Sequence, residues 1–334
     1  MHHPKRRAFT AQTSLLTAAL GLGLDLGLVR PASAQTYPSG TVRIIVPYGP
    51  GGATDAIGRM IAHELQTALG ATFIVENKAG GGSQIGTKAV ADAPADGMTL
   101  GFIDSAFVIN PGLVPNLPYD TRRDFAPLSL AATAQLVLSV HRSVPAATLV
   151  EFIALAKSQP GKLAFASAGV GSAPHLAGEQ FRIAAGLDVV HVPYKGGAAV
   201  FIDLLAGHVQ FAFTTVPSML EHIRAGSVRA LAVTGDQRSP LLPDVPSMAE
   251  AGLAEVDAAP LFGLVAPARV PPAILERISR VASSSVREGA LKGKLTEMGF
   301  TPVGSTQEEF RVRVDREIEK WGRVVKAAGI QPDR

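Results

Sequence analysis

Residues 42–55, VRIIVPYGPGGATD, constrain the chain more than any other segment, because a buried-strand run passes straight through a glycine-rich turn into a helix start. Val42, Ile44, Ile45 and Val46 suit a strand covered on both faces, and Pro47 and Pro50 end it. Gly49, Gly51 and Gly52 permit positive φ and let a ligand approach the main chain. Ile57, Met60, Ile61, Leu65 and Leu69 then recur at helical spacing, with Gly70 as the stop. The first amides of such a helix lack intrahelical partners and its dipole favours negative charge, so the turn is built to hold an anion. The same pattern also serves as a plain tight connection between strand and helix.

A leader has to be set aside before charge is read. Lys5, Arg6 and Arg7, the mostly apolar residues 14–29 and the small residues Ala32, Ser33 and Ala34 predict a signal peptide over 1–34 that is cleaved, giving a periplasmic protein. Arg6-Arg7-Ala8-Phe9 is twin-arginine-like, while Asp25 in the apolar run keeps the Sec route open. An uncleaved anchor is the alternative, and the run is short and interrupted for one. The chain holds 31 Lys+Arg and 28 Asp+Glu; removing the leader's four basic residues and one acid leaves 27 of each. The basic excess therefore belongs to the leader, and nucleic acid is not an expected partner. No cysteine is present, which excludes disulfides, thiolate metal sites and thiol nucleophiles. About 300 residues exceed what one core organises, so two domains are expected.

Strand-like and helical runs alternate along the chain. Residues 72–76 and 99–103 read as strands, with a second Gly-rich turn at 77–86 and the third strand ending at Asp104-Ser105. This alternation indicates a parallel α/β sheet with ligands beyond the carboxyl ends of its strands. The pattern restarts with strands at 136–140 and 163–167, the turn Ala168-Gly169-Val170-Gly171-Ser172-Ala173-Pro174, a helix over 175–185 and a strand at 189–192. Pro193-Tyr194-Lys195-Gly196-Gly197 is another turn before a helix over 198–206, and 209–215, 228–234 and 261–265 read as strands. From Pro272 the chain is mostly amphipathic helix, closing at 310–328 with Trp321 assigned to the core.

PYGPGGATDAIGR (47–59), ENKAGGGSQIGTKAVADAPADGMTL (76–100), PHLAGEQF (174–181), HVPYKGG (191–197), LLAGHVQ (204–210) and LPDVPSMAEAG (242–252) together resemble the Bug family, the extracytoplasmic solute receptors of tripartite tricarboxylate transporters. The resemblance implies an α/β, type II periplasmic-binding-protein fold, with two α/β lobes joined by two crossovers and a ligand cleft between them. Residues 35–138 and 261–334 would form lobe 1 and 139–260 lobe 2, with crossovers near 138–141 and 259–262. It implies a small organic acid as ligand, membrane permease subunits as partners, a monomer, no cofactor, no metal and no catalysis. A ligand carboxylate would lie between two turns, one per lobe. In this chain those are Tyr48, Gly51, Gly52, Ala53, Thr54 and Asp55 on one side, and Gly171, Ser172 and Ala173 on the other. Opposed helix N-termini can neutralise a carboxylate without a buried arginine, and neither turn contains Lys or Arg. Ser105, Tyr194, Thr215 and Phe262 are the candidates for the far wall, and Pro260-Leu261-Phe262 stands where the family commonly has a Trp before the Gly.

Several of these residues carry two readings. Asp55 either meets a ligand amino group or serves its own backbone, and His175 either donates to the ligand or is packed as a cap. Thr54 and Ser172 divide between capping and ligand contact, and Lys195 reads as solvent-facing. A secreted α/β enzyme is the main rival, but GxSxG, Walker A and HExxH signatures are missing and residues 169–174 lack the third small residue of a dinucleotide turn. A receptor feeding a signalling system instead of a permease has the same sequence signature.

Overall fold

The computed structural model describes residues 37–194 and 196–332, so the expected leader and Lys195 lie outside the described residues. Strand β1 (Val42–Val46) is covered on both faces: Ile44 packs into one apolar cluster and Ile45 into another, as alternation along a strand requires. Helix α1 (Ala53–Leu69) lays Ile57, Ile61 and Leu65 on the sheet, each fully buried and worth about 1.5–3 kcal/mol of transfer energy. Gly70, at φ 66°, ends it by donating to Gln66. Then follow β2 (Phe73–Asn77), α2 (Gln84–Ala91), β3 (Thr99–Ile103), α3 (Ala106–Leu113) and β4 (Phe125–Thr133).

The second half of the pattern comprises β5 (Leu136–His141), α4 (Leu149–Ser158), β6 (Ala164–Ser167), α5 (Ala173–Ala184), β7 (Val190–Pro193), α6 (Gly197–Ala206), β8 (Phe211–Thr215), α7 (Val216–Arg224) and β9 (Val228–Val233). The chain then returns through β10 (Leu261–Pro267), α8 (Pro272–Arg287), α9 (Ala290–Glu297), β11 (Thr301–Pro302) and α10 (Gln307–Ala328). Trp321 on α10 is 1% exposed, as the sequence indicates.

Two sheets result, ordered β11-β4-β10-β3-β1-β2 and β7-β6-β8-β5-β9. Leaving out β11, both follow one plan. The first three βα strands run parallel, and beside them lies an antiparallel strand that has arrived from the other sheet, β10 in one case and β5 in the other. Each sheet therefore contains a strand that the chain contributes after leaving the other sheet. The first passage occurs at Ala134 and Gln135, a few residues before the expected 138–141, which pair inside the second sheet. Nothing in the sequence marks the boundary there, because the apolar run from Leu128 to Val140 is broken only by small and single polar residues. The second passage covers residues 234–260, and Ala134 N–H donates to Pro260 O at 3.0 Å, so the two crossing segments lie side by side.

Strand β4 is missing from the sequence reading. Its Pro127 argues against a strand with neighbours on both sides, yet the fold accommodates it, because pairing on the β11 side begins only at Leu130 and leaves Pro127 on an edge. One apolar cluster runs from lobe to lobe through α3, α5 and α10, joining Phe107 and Leu113 to Phe165, Phe181 and Trp321.

Candidate functional site

The β1–α1 turn presents free amides. Ala56 N–H is the first in α1 to find a helical partner, Gly52 O at 2.9 Å, and the amides of Gly52, Ala53, Thr54 and Asp55 donate to nothing among the described residues. Gly51 and Gly52 are exposed, and a Cβ placed on either would meet no atom within 4 Å. Gly51 needs its φ of 94° to make the turn.

Asp55 supports this turn from behind. Its carboxylate takes both arms of Arg59 at 2.9 and 3.0 Å, Gly51 N–H at 3.0 Å and Asn77 Nδ2 at 2.8 Å. Asn77 also donates to Tyr48 O, tying the second strand to the turn. The guanidinium of Arg59, with the Gly51 and Asn77 donors, holds the Asp55 carboxyl down at about 2. Every lone pair of Asp55 that could face a ligand amine is thus committed to the protein, and the backbone-serving reading holds. Arg59 was legible as the residue one helical turn after Asp55, and the sequence reading passed over it.

The β6–α5 turn is partly satisfied internally. Ser172 Oγ donates to Gly169 O at 2.7 Å and accepts from His175 N–H at 3.3 Å, so it caps α5. Gly171 N–H donates to His175 Nδ1 at 3.2 Å, which makes Nδ1 the acceptor and puts the ring proton on Nε2. Among the described residues, the amides of Ala168, Val170 and Ala173 in this turn lack an acceptor. Gly171 meets the other lobe directly: a Cβ there would lie 2.4 Å from Leu113 Cδ2 and 3.9 Å from Ile109 Cγ2, both on α3.

His175 is 3% exposed and stacks on His191 with ring centroids 3.9 Å apart, while His191 Nε2 lies 2.7 Å from Ser167 Oγ. Burial, with His191 adding to it, lowers His175 to about 3, and burial lowers His191 to about 4. Both rings are neutral in the folded protein near pH 6 and titrate near 6.5 once unfolded. Their contribution to stability is therefore complete above pH 6.5 and fades as pH falls from there toward 4. Below pH 6 the loss approaches about 1.4 kcal/mol per pH unit for His175. Thermal melts from pH 7 to pH 4.5 should show the midpoint falling, and His191→Phe should flatten the slope. A midpoint that stays level over that range would show that the pair is protonated in the native state.

The expected wall residues each have partners within the protein. Ser105 Oγ accepts Leu261 N–H at 3.1 Å and serves the second crossover. Tyr194 turns its hydroxyl to Asp203 in its own lobe, and burial with that carboxylate raises it to about 12. Thr215 Oγ1 lies 2.5 Å from Ser218 Oγ. Phe262 is 4% exposed and sits edge-on to Phe300 at 5.5 Å in the core of the six-stranded lobe. Its neighbour Gly263 is required by packing, since a Cβ would lie 2.3 Å from Phe310 Cζ. Thr54 is buried, and its hydroxyl bonds to no protein group among the described residues. Tyr48 Oη donates to Asp104 Oδ1 at 2.7 Å.

Open clefts also occur away from these turns. One of about 870 Å³ lies between the crossing segments and α10 and is lined by Gln135, Thr234, Asp257, Arg316 and Arg323. Among the described residues, no group of three His, Asp or Glu side chains could hold a metal ion, and no helix is long and apolar enough to cross a membrane.

Two α/β lobes with reciprocal strand exchange define a periplasmic-binding-protein fold. Residues 57–330 match the family described as Tripartite tricarboxylate transporter family receptor, and the chain belongs to it. The chain is 37% identical over 317 residues to protein BugT of Bordetella pertussis, covering 94% of this chain and 97% of that one. It is similar to the solved structure of R. palustris Rpa4515 with adipate, with a TM-score of 0.82, 32% identity and coverage of 89% and 100%. MatC from Rhodopseudomonas palustris with bound malate gives a TM-score of 0.77 at 28% identity, covering 86% of this chain and 100% of that one. The family is one of solute receptors and not of enzymes.

Proposed function

We propose that this protein is an exported, monomeric receptor that binds a small carboxylate-bearing molecule between its lobes and delivers it to a tripartite membrane permease. One observation carries the reading: four consecutive amides, Gly52 to Asp55, with no acceptor among the described residues, at the start of a 17-residue helix whose glycine turn faces open space. Such a terminus attracts an anion through its dipole and its free donors together. The Arg59 pair neutralises Asp55, which would otherwise repel the ligand from the same turn. Val170 and Ala173 supply further free amides from the other lobe. Relatives solved with adipate and with malate agree in ligand class.

Ligand that binds only the folded state stabilises it by RT ln(1 + [L]/Kd), about 2.7 kcal/mol at a hundredfold excess over Kd. For a chain of this size that is a rise in melting temperature of roughly 4 °C. A thermal-shift screen of mono-, di- and tricarboxylates, aromatic acids and acidic amino acids should give such a hit, recovered chemically unchanged. No shift with any carboxylate, or turnover of the hit by clean protein, would overturn the receptor reading.

A further inference from the structure

Asp104 has a second carboxylate oxygen that accepts no hydrogen bond among the described residues. The residue follows β3 directly, at the carboxyl ends of the parallel strands where ligands of α/β sheets bind. Its Oδ1 accepts from Tyr48 Oη at 2.7 Å and from Ala106 N–H at 3.0 Å, whereas Oδ2 accepts from nothing among the described residues. Among the described residues no basic side chain forms an ion pair with it. The basic groups of this sheet end are engaged elsewhere, Arg59 by Asp55 and Lys78 by Glu76. Burial raises the Asp104 carboxyl above the usual carboxylate range, with the Tyr48 hydroxyl acting against it.

Capping α3 accounts for Oδ1 alone, and an asparagine would cap as well without the cost of a desolvated charge. What the carboxylate adds is a strong acceptor at Oδ2, beside the turn that carries the free amides. A ligand hydroxyl or ammonium would form a charge-assisted hydrogen bond there. A ligand with only methylene groups at that place would displace water from this half-buried carboxylate without giving it a donor, and a second carboxylate there would be repelled.

We infer that Asp104 makes this receptor select carboxylic acids that carry a hydroxyl or ammonium donor over unsubstituted acids of the same length. The inference rests on the carboxylate-receptor reading. Calorimetric titration of the purified protein with matched pairs tests it: malate and aspartate against succinate, 2-hydroxyglutarate against glutarate, and mandelate against phenylacetate. In the pair that fits the cleft, the donor-bearing acid should bind at least tenfold more tightly. Asp104→Asn keeps the cap acceptor and the side-chain shape, and it should bring the ratio within threefold while the melting temperature of the unliganded protein stays level or rises. Should that variant fold poorly, Asp104→Ser supplies the same comparison. Equal affinities in the parent, or a preference that survives the substitution, would overturn the role of Asp104 while leaving the receptor reading intact. Failure of every carboxylate to bind the parent would overturn both.

Discussion

Gly171→Val should lower ligand affinity at least a hundredfold in a protein that still folds. Gly171 has φ of 77°, and a Cβ there would lie 2.4 Å from Leu113 Cδ2. The left-handed backbone alone costs an L-residue about 1–2 kcal/mol, and a β-branched one more. The collision adds to this, because Leu113 is 7% exposed and has little room to withdraw. Gly171 belongs to the five-stranded lobe and Leu113 to the six-stranded one, so the least costly relief is for the turn to leave α3. That movement frees His175 Nδ1 from its donor and carries the Val170 and Ala173 amides away. A marginal stability of about 5–15 kcal/mol absorbs such a local change, so the melt should remain cooperative. Titration with the acid found in the screen measures the loss, and small-angle scattering should show a larger radius of gyration than the parent has with ligand. Gly171→Ala combined with Leu113→Ala should recover part of what Gly171→Ala loses, since the contact is relieved and only the φ strain stays. Parent-like affinity in Gly171→Val would remove this turn from the binding surface.

The strands and helices around the turns were legible because their signals are local. Residues 99–103 read as a strand and β3 has those bounds, and Gly70 and Gly207 end their helices in the left-handed conformation that glycine adopts freely. What could not be read depends on which chain segments meet. The exchange of β5 and β10 between sheets leaves no mark at Ala134 or Pro260, and β4 hides behind Pro127, whose edge position is set by the distant β11. The site divides the same way. Capping by Ser172 and the committed state of Asp55 follow from helix-start chemistry within a few residues. Phe262, by contrast, alternates along β10 toward one face or the other according to a register with β4 that the sequence does not specify, and it points into the core. The significance of Asp104 is relational: a strand-end aspartate becomes notable only when Tyr48, 56 residues away, occupies one oxygen and no group among the described residues donates to the other.

Gly52→Val should separate binding from folding more sharply than any other change in the chain. Gly52 has φ of −81° and ψ of 172°, ordinary extended backbone that valine adopts without strain, and a Cβ there would meet nothing within 4 Å. No side-chain cap is lost, because glycine provides none. By the usual effect of exposed substitutions, stability should change by no more than about 0.5 kcal/mol. The added methyl groups would nevertheless stand over the amides of residues 52–55, in the space that a carboxylate oxygen needs to come within about 3 Å of them. Affinity should therefore fall in the order Gly, Ala, Val at this position, with the valine variant at least a hundredfold weaker and its melting temperature unmoved. Because the unliganded fold is unaffected, the loss cannot be assigned to misfolding. If all three proteins bind the acid alike, the ligand does not sit on the α1 terminus, and those four amides are satisfied by solvent in the liganded state as well.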